Sequence, residues 1–388
     1  MLDLKRNGMM KTRSKIKLVT GIGIRPDIIR LSEILKELDK YFDNVTVDTG
    51  QHYDYNLNKV MYEQLGVREP NCRLDGKAPN RVTQMGAISK QFADVLYRQE
   101  PDMVVILGDN NSSLAMALAA AQLNIPIAHI ESGNRSFNWE MPEEKNRTVI
   151  DHLSDIHFCY TEDARANLAA EGINRRATWV VGNPIVDVMK VNLDKKGVEV
   201  IEAFENVWVS PSHGYGIEEN KYILVTCHRS ENVGNPETLC DILNQLSAIY
   251  DKYNLPVILI EMPRLKQEMA RMEIFHYPQG IAAIPPQPYL DFLQLEKYAR
   301  LIISDSGTVP EVAYAMGKPC IQIREKTERM ELLENGSTIL VANNQDILTP
   351  ASCLLEAPPP PEEPIYKTGV AQKIARILLG NAINAWRR

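Results

Sequence analysis

The sequence predicts an α/β protein made of two βαβ domains with a cleft between them. Short apolar runs, typical of buried parallel strands, alternate with helical segments from residue 16 to about residue 190. The alternation stops over residues 191–220, where the chain is charged and contains PSHGYG, and then begins again. Because parallel strands are joined by crossover helices, we expect each half to form its own sheet with helices on both faces.

The first half holds six predicted strands, KLVTG, NVTVDT, MVVIL, IPIAHI, IHFCY and TWVVG. Helices are predicted between them over residues 27–38, 55–65, 80–98, 112–123, 143–153 and 163–171. The second half holds six more predicted strands, YILVT, PVILI, IAAI, LIISD, PCIQI and TILV. Its predicted helices span residues 236–253, 289–298 and 309–316.

The chain therefore divides into a first domain over residues 16–190 and a second over residues 191–365. The tract APPPPEEP is predicted to be a stiff extended connector, since prolines exclude both a helix and a central strand. A helix is predicted over residues 369–386, within a segment 366–388 that rejoins the first domain.

Composition indicates a globular protein that does not bind nucleic acid. The 388 residues are 44% hydrophobic and 24% charged, and a net charge of −7 argues against a general affinity for phosphate backbones. The six cysteines contain no CxxC pair, which favours buried thiols in a reducing, cytoplasmic setting. No stretch is apolar enough to predict a membrane span, and no cluster has metal-ligand spacing.

Three carboxylates are predicted to lie at the sheet edge where open α/β folds bind ligands. Asp109 follows the strand MVVIL, and Glu131 follows IPIAHI. Glu143 opens the helix after Pro142, where a helix amino terminus favours the ionised form. Together they indicate proton-transfer chemistry beside an anion. The alternative for each acid is a helix cap or a pair with Arg135 or Arg147.

Two glycine loops and two histidines are candidates for binding an anion. The loop GIGIRPD places free amides and the guanidinium groups of Arg25 and Arg30 after the first strand. In the second half, SDSGT has the same strand, turn and helix order, although either loop could be only a turn. His228 and Arg229 follow the strand YILVT, and His52 is similarly placed in the first half. His129, inside a strand, is predicted to be a satisfied core residue.

With these motifs in order, the chain resembles the non-hydrolysing UDP-N-acetylglucosamine 2-epimerase family. The resemblance runs through GIGIRPDIIR, TGQHYD, LGDNNSS, HIESGNRSF, PEEKNR, VGNPIVD, VTCHRSEN, SDSGTVPE and GKPCIQIREKTER. It implies a GT-B type fold with two Rossmann-like domains. The stretch from GNRSF to the end of RTVIDHLSDI is most similar to the branch that forms UDP-N-acetyl-L-fucosamine.

The resemblance also implies a reaction and its residues. The nucleoside diphosphate is eliminated across carbons 1 and 2 of a 2-acetamido sugar and added back after the proton returns on the other face. Asp109, Glu131, Glu143 and His228 match the catalytic positions. The matching substrate-binding positions are Arg25, Arg30, Gln51, His52, Arg135, Asn146, Arg147, Arg229, Ser306, Gly307, Thr308, Glu311 and Arg324. A UDP-linked sugar is the implied partner, the implied assembly is a homodimer, and neither a cofactor nor a metal is implied.

Several residues depart from the family pattern. Val312 stands where a second acid ordinarily holds the ribose hydroxyls, Ile24 replaces a threonine, and Met262 replaces a histidine. An apolar residue at the ribose position removes hydrogen bonds that discriminate strongly between ligands. Two alternatives therefore stay open. The enzyme could hydrolyse or transfer the glycosyl group, or the chain could bind a nucleotide sugar without turnover.

Overall fold

The computed structural model describes residues 15–50, 55–193, 219–342, 346–357 and 366–380. Within them the strands form two entirely parallel sheets. The first has the order β3-β2-β1-β4-β5-β6-β7 and the second the order β10-β9-β8-β11-β12-β13. The first sheet comprises β1 Lys17–Ile22, β2 Asp43–Asp48, β3 Cys72–Arg73, β4 Met103–Leu107, β5 Ile127–Ile130, β6 Ile156–Cys159 and β7 Thr178–Val180. The second comprises β8 Ile223–Thr226, β9 Val257–Ile260, β10 Ile281–Ile284, β11 Leu301–Ser304, β12 Cys320–Ile323 and β13 Thr338–Val341.

Helices connect successive strands in both halves. Those of the first half are α1 Arg25–Tyr41, α2 Tyr55–Leu65, α3 Arg81–Gln99, α4 Asn111–Gln122, α5 Pro142–Leu153, α6 Glu162–Ala170 and α7 Ile185–Asn192. Those that follow are α8 Ser230–Val233, α9 Pro236–Tyr253, α10 Pro263–Arg271, α11 Tyr289–Tyr298, α12 Val309–Ala315, α13 Met330–Glu334, α14 Leu348–Glu356 and α15 Val370–Gly380. No helix among the described residues is long and apolar enough to cross a bilayer.

The first sheet is buried on both faces, which explains why its strands are apolar without alternation. One face packs against α1, α2, α7 and α15, through residues such as Leu31, Tyr62 and Ile374. The other face packs against α3 and α4, through residues such as Phe92 and Met116. The last described helix is held there by Asp187, whose carboxylate accepts hydrogen bonds from the backbone N–H groups of Gly369 (2.6 Å) and Ala371 (2.9 Å).

The structure confirms the predicted strand alternation and adds elements that the pattern did not predict. β3 has only two residues, too few to show a period. Helices α10 and α14 were not predicted either. Both are short, and charged or turn-forming residues in their first turns obscure the apolar pattern from which a helix is predicted. Residues 194–218, 358–365 and 381–388, which hold most of the predicted connection, the proline tract and the end of the predicted last helix, lie outside the described residues. The exact domain boundaries stay a prediction.

Both sheets present a crevice at their carboxyl edges. In the first, β1 lies between β2 and β4, and in the second, β8 lies between β9 and β11, so chain order reverses beside each first strand. Ligands of open α/β sheets bind at this reversal. An apolar cluster joins the two halves nearby, with Ile185 and Met189 of α7 against Leu293 of α11 and Val312 of α12.

Candidate active site

Asp109 follows β4 and is held by groups from α5. Arg147 Nη2 donates to Asp109 Oδ2, and Asn146 Nδ2 donates to the Asp109 backbone oxygen (2.9 Å). The Asp109 side chain keeps 27% of its surface exposed. Its enclosure in the cleft raises the pKa of Asp109, Arg147 opposes the rise, and the charges of Glu131, Glu328 and Glu143 add to it. The three carboxylates predicted from the sequence therefore act on one another electrostatically.

The ends of β4 and β5 are fixed by a buried polar cluster. His129 in β5 contacts the Gly108 backbone oxygen through Nε2 (2.9 Å) and Asp151 Oδ1 of α5 through Nδ1 (2.7 Å). Asp151 also accepts from Ser132 Oγ and from the Gly133 backbone N–H. The prediction that His129 is a satisfied core residue is confirmed. Because the cluster ties Gly108 to the loop after β5, it sets the relative position of Asp109 and Glu131.

Glu131 is the centre of a four-charge arrangement that spans the two sheets. Arg30 Nη1 donates to Glu131 Oε2 (2.7 Å), and Arg30 Nη2 donates to Glu311 Oε2 (2.6 Å). Arg329 closes the square, with Nη2 donating to Glu131 Oε1 and Nε donating to Glu311 Oε1. We call these four side chains the ion-pair square. Arg30 and Glu131 come from the first sheet's domain, whereas Glu311 and Arg329 come from the second.

The ion-pair square is almost closed to solvent, with exposures of 8% for Arg30, 8% for Glu131, 0% for Glu311 and 2% for Arg329. Burial alone raises the pKa of Glu131, but the charges of Arg30 and Arg329 and the Arg329 hydrogen bond reverse this and lower it to about 2. Glu131 also has a positive φ of 78°, which is unusual for a residue other than glycine. Such strain persists only where surrounding contacts fix the backbone.

The two adjacent glutamates of α5 have different surroundings. Glu144 is buried, and its carboxylate accepts hydrogen bonds from the Ser136 backbone N–H (3.0 Å), Ser136 Oγ (2.8 Å) and the Phe137 backbone N–H (2.9 Å). It therefore pins the loop between β5 and α5. Glu143 is only partly buried, and its charge reaches Asp109. Of the two, only Glu143 is partly exposed.

The first glycine loop supplies fewer free amides than its sequence predicts. Asp27 Oδ2 accepts from the backbone N–H groups of Gly23 and Ile24 (3.0 Å each) and from Asn110 Nδ2 (3.1 Å). Burial raises the pKa of Asp27 to about 7, although these backbone hydrogen bonds oppose it. Arg25, the first residue of α1, is partly exposed at the same loop. The Gly23 and Ile24 amides are therefore already engaged by Asp27, whereas the Arg25 guanidinium group is partly exposed.

His228 follows β8 and faces Asp305, which follows β11. His228 Nδ1 lies 3.0 Å from Asp305 Oδ1, and Asp305 Oδ2 accepts from the backbone N–H groups of His228 (2.7 Å) and Arg229 (2.8 Å). Asp305 is fully buried; burial acts to raise its pKa, but His228 and these amides lower it. Because Asp305 faces Nδ1 and the His228 side chain is 38% exposed, Nε2 is the imidazole nitrogen left to contact a ligand.

The remaining nucleotide-side positions lie around β11 and β12. Ser306, Gly307 and Thr308 form the turn between β11 and α12, and Arg30 Nη2 donates to Thr308 Oγ1 (3.1 Å). Arg324, after β12, lies 3.2 Å from Glu328 Oε2 through Nη1. Burial acts to raise the pKa of Glu328, and the charges of Arg324, Arg329 and Arg147 lower it to about 2.

Some predicted positions are not at the cleft, and some cleft residues were not predicted. Arg135 turns away from it, with Nε on Glu171 Oε1 (2.7 Å) and Nη1 on Asp151 Oδ2 (2.8 Å). Gln51 and His52 lie outside the described residues. Residues that the structure adds are Asp27, Asp305, Glu328 and Arg329. Each lies inside a motif already noted, but only its tertiary contacts distinguish it from the other residues of that motif. The described residues contain no group of three or more His, Cys, Asp or Glu that could hold a metal ion.

Comparison with known proteins agrees with this geometry. The family model described as UDP-N-acetylglucosamine 2-epimerase matches residues 36–379. A UDP-N-acetylglucosamine 2-epimerase of Methanocaldococcus jannaschii is 39% identical over 340 residues, which cover 87% of this chain and 91% of that protein. A UDP-2,3-diacetamido-2,3-dideoxy-D-glucuronate 2-epimerase of Pseudomonas aeruginosa is 36% identical over 336 residues, 86% of this chain and 90% of that protein.

Solved structures show the same fold. The M. jannaschii enzyme in complex with UDP-GlcNAc and UDP superposes with a TM-score of 0.85 at 37% identity, covering 94% of this chain and 100% of that one. The Neisseria meningitidis enzyme bound to UDP-GlcNAc gives a TM-score of 0.84 at 29% identity, with 94% and 100% coverage. The predicted α/β fold of GT-B type is confirmed, and so is the family that the motifs indicated. The chain belongs to the UDP-N-acetylglucosamine 2-epimerase family, whose members are nucleotide-sugar isomerases.

Proposed function

We propose that this chain epimerises carbon 2 of a UDP-activated 2-acetamido sugar, using Asp109, Glu131, Glu143 and His228. The observation that carries the proposal is that acids of the first half, Glu131 and Asp109, interact with Arg329 and Glu328 of the second, where Glu328 is also paired with Arg324. A cleft with carboxylates on one wall and cations on the other suits a sugar joined to a diphosphate.

The cationic wall serves the diphosphate. Arg25, Arg229 and Arg324 supply charge to the phosphate oxygens, and His228 donates a hydrogen bond to them. Departure of UDP takes the electron pair of the bond between carbon 1 and oxygen and leaves positive charge on the ring. The carbon 2 hydrogen is not acidic in the ground state, so this charge must develop before or with proton removal.

The acidic wall serves the ring. Loss of the carbon 2 proton to a carboxylate leaves its bonding electrons as a double bond between carbons 1 and 2, which gives a 2-acetamidoglycal and UDP. Return of a proton to the opposite face of carbon 2, followed by re-addition of UDP at carbon 1, gives the epimer. Two proton-carrying groups on opposite faces are required, and Asp109, whose pKa is raised, meets that need better than Glu131, whose pKa is lowered.

UDP-N-acetylglucosamine is the first substrate to test. The M. jannaschii relative is named for it, and the P. aeruginosa relative shows that a similar sequence accepts a diacetamido glucuronate. Both sugars carry an acetamido group at carbon 2. The fucosamine-forming branch stays a prediction from the loop sequence alone.

The test is NMR of a panel of UDP-2-acetamido sugars in deuterated water. We expect inversion at carbon 2 with one deuterium incorporated there. Release of free sugar would instead support hydrolysis, and binding without exchange would support an inactive homologue. Asp109→Asn, Glu131→Gln and Glu143→Gln should each lose roughly 100-fold to 10,000-fold in turnover. Glu140→Gln is the matched control and should keep its activity, because Glu140 is an exposed acid in the loop between β5 and α5, close in sequence to Glu143. Near-normal rates in any two of the three variants would contradict the assignment.

We also propose a cytoplasmic homodimer that supplies a precursor for polysaccharide synthesis. The support is the family resemblance together with six cysteines that are all unpaired. Light scattering of the purified protein measures the assembly directly, and a mass near that of one 43.8 kDa chain would contradict the dimer.

A further inference from the structure

Every lone pair of the Glu131 carboxylate faces a donor. Oε1 lies against Arg329 Nη2 and Asn134 Nδ2 (3.5 Å), and Oε2 lies against Arg30 Nη1 (2.7 Å) and Tyr160 Oη (3.3 Å). A carboxylate offers about four lone-pair sites. A proton on Glu131 therefore has to displace one of these donors, and two of the four are guanidinium groups that do not deprotonate.

The side chains around Glu131 belong to several elements of both domains. The guanidinium carbon of one of them, Arg329, also lies 5.6 Å from the centre of the Tyr160 ring, and this contact helps to hold the guanidinium group in place. The charged and titratable groups whose fields reach Glu131 or its partners include Asp27, Arg30, Asp109, Arg147, Tyr160, Glu311, Glu328, Arg329, Glu331 and Tyr366. Among the nearby acids, the Asp109 side chain is 27% exposed and Glu143 is partly exposed.

We propose that Arg329 is a positioning residue which, with Arg30, fixes Glu131 as a permanent anion beneath the sugar ring, so that Glu131 stabilises the ring cation while other carboxylates carry the proton. This inference rests on the proposed epimerase function and refines it. Asp109 and Glu143 are then the two groups that remove the carbon 2 proton from one face and return a proton to the other. Nothing in the family comparison assigns a role to Arg329.

The same geometry couples the anion to closure of the cleft. Arg329 and Glu311 belong to the second domain, and each contacts a partner from the first. Separation of the domains would remove Arg329 from Glu131 and leave Arg30 as its single guanidinium partner. The fixed anion is therefore complete only when the domains are together, which is when a diphosphate can bridge both walls.

The test is the pH dependence of kcat/KM between pH 5 and pH 8 for the full-length wild type, Arg329→Met and Arg329→Lys. In the wild type, Glu131 contributes no loss of activity towards pH 5. In Arg329→Met, we expect the ratio of the rate at pH 5 to that at pH 8 to fall at least tenfold below the wild-type ratio. Arg329→Lys keeps a cation, so its ratio should stay within about threefold of wild type. Equal losses at all pH values would overturn the inference.

Two further arms keep the inference testable if Arg329→Met does not fold. Tyr160→Phe removes a neutral donor from Glu131 and should lower the same rate ratio by a smaller factor. The double variant Asp109→Asn, Glu143→Gln keeps the ion-pair square, and it should show no exchange of the carbon 2 proton with deuterated water. Exchange in that variant would make Glu131 the base and overturn the proposal.

Arg68→Met is the matched control, since Arg68 pairs with Asp39 (2.7 Å) on the outer side of the first domain. Its pH profile should follow the wild type. The wild-type NMR experiment separates the two levels of inference. Absence of carbon 2 exchange in the wild type refutes the epimerase function itself, whereas exchange with unshifted Arg329 profiles refutes only the role of Arg329.

Discussion

Replacing Asp151 with asparagine should destabilise the first domain more than any surface substitution, because it removes the one negative charge in a buried cluster of donors. Asp151 is 1% exposed and contacts His129 Nδ1 at 2.7 Å and Arg135 Nη1 at 2.8 Å. Both nitrogens of His129 are engaged, one by this carboxylate and one by a carbonyl oxygen, as in an imidazolium. An amide at position 151 leaves the buried His129 without its carboxylate partner and leaves Arg135 with Glu171 alone.

The expected cost is about 3–5 kcal/mol, the range for breaking a buried ion pair by removing one partner. Its sign with pH follows from the pKa of Asp151. Burial acts to raise it, but His129, Arg135 and Ser132 lower it below its usual value of 3.8. A depressed carboxyl pKa contributes stability that is present above the unfolded value and is lost as pH falls through the folded value. The contribution of the ionised Asp151 to the difference between wild type and Asp151→Asn should thus be fully present above about pH 4 and shrink below it.

Hydrogen exchange is the appropriate measurement, since a two-domain chain need not unfold in one step. Amides of β5 and β6 should lose about 3 kcal/mol or more of opening free energy in Asp151→Asn, whereas amides of β11 in the second sheet should keep theirs. Asp163→Asn, an exposed acid of α6, is the control and should change by less than about 0.5 kcal/mol. A loss below 1 kcal/mol in β5 would refute the reasoning that Asp151 compensates buried cations.

Two further predictions follow from buried or missing carboxylates. Asp27 holds its proton in the folded chain up to about pH 7, above its usual pKa of 3.8, so wild-type stability should fall as pH rises from 5 to 7. In Asp27→Asn, the free energy of unfolding should change by about 2–3 kcal/mol less between pH 5 and pH 7 than it does in the wild type. Thermal unfolding midpoints that change with pH in the same way in both proteins would contradict this. Val312 packs against α7, and Glu311 is engaged by two arginines, so neither offers a carboxylate to a ribose. UDP and 2′-deoxy-UDP should therefore bind within about threefold of each other by calorimetry, whereas a charge-assisted hydrogen bond would favour UDP by roughly tenfold or more.

The alternation of strands and helices follows from local patterns in the sequence, and the predicted location of the site rests on the same patterns. Apolar runs such as Met103–Leu107 can be recognised because a strand buried on both faces tolerates only apolar side chains. The residue after such a strand must lie at the carboxyl edge of the sheet. Asp109, Glu131 and His228 were found for this reason, without any knowledge of the side chains across the cleft.

Pairing across the cleft could not be predicted in the same way. Arg329 lies 198 residues from Glu131 in the chain, and no period or spacing relates them. Arg135 is an example of a residue that was predicted at the cleft but does not lie there. Nothing in the sequence around it indicates that it pairs with Glu171 and Asp151, away from the cleft. Long-range ion pairs depend on how two sheets pack, which residue types alone do not specify.

One departure from the family pattern, Val312, lies at a contact between the domains, next to the ion-pair square. The forked guanidinium of Arg30 reaches Glu131 and Glu311 together, which a single ammonium cannot do in that geometry. The next residue of α12, Val312, joins Ile185 and Met189 in the apolar cluster between the halves. Successive residues of α12 thus strengthen a polar and an apolar contact across the same boundary. The chain keeps all four predicted catalytic residues, Asp109, Glu131, Glu143 and His228, while its contacts between the domains are reinforced. A protein that only binds a nucleotide sugar would not need the carboxylates that act on the ring. The combination therefore favours an enzyme that still turns over its substrate.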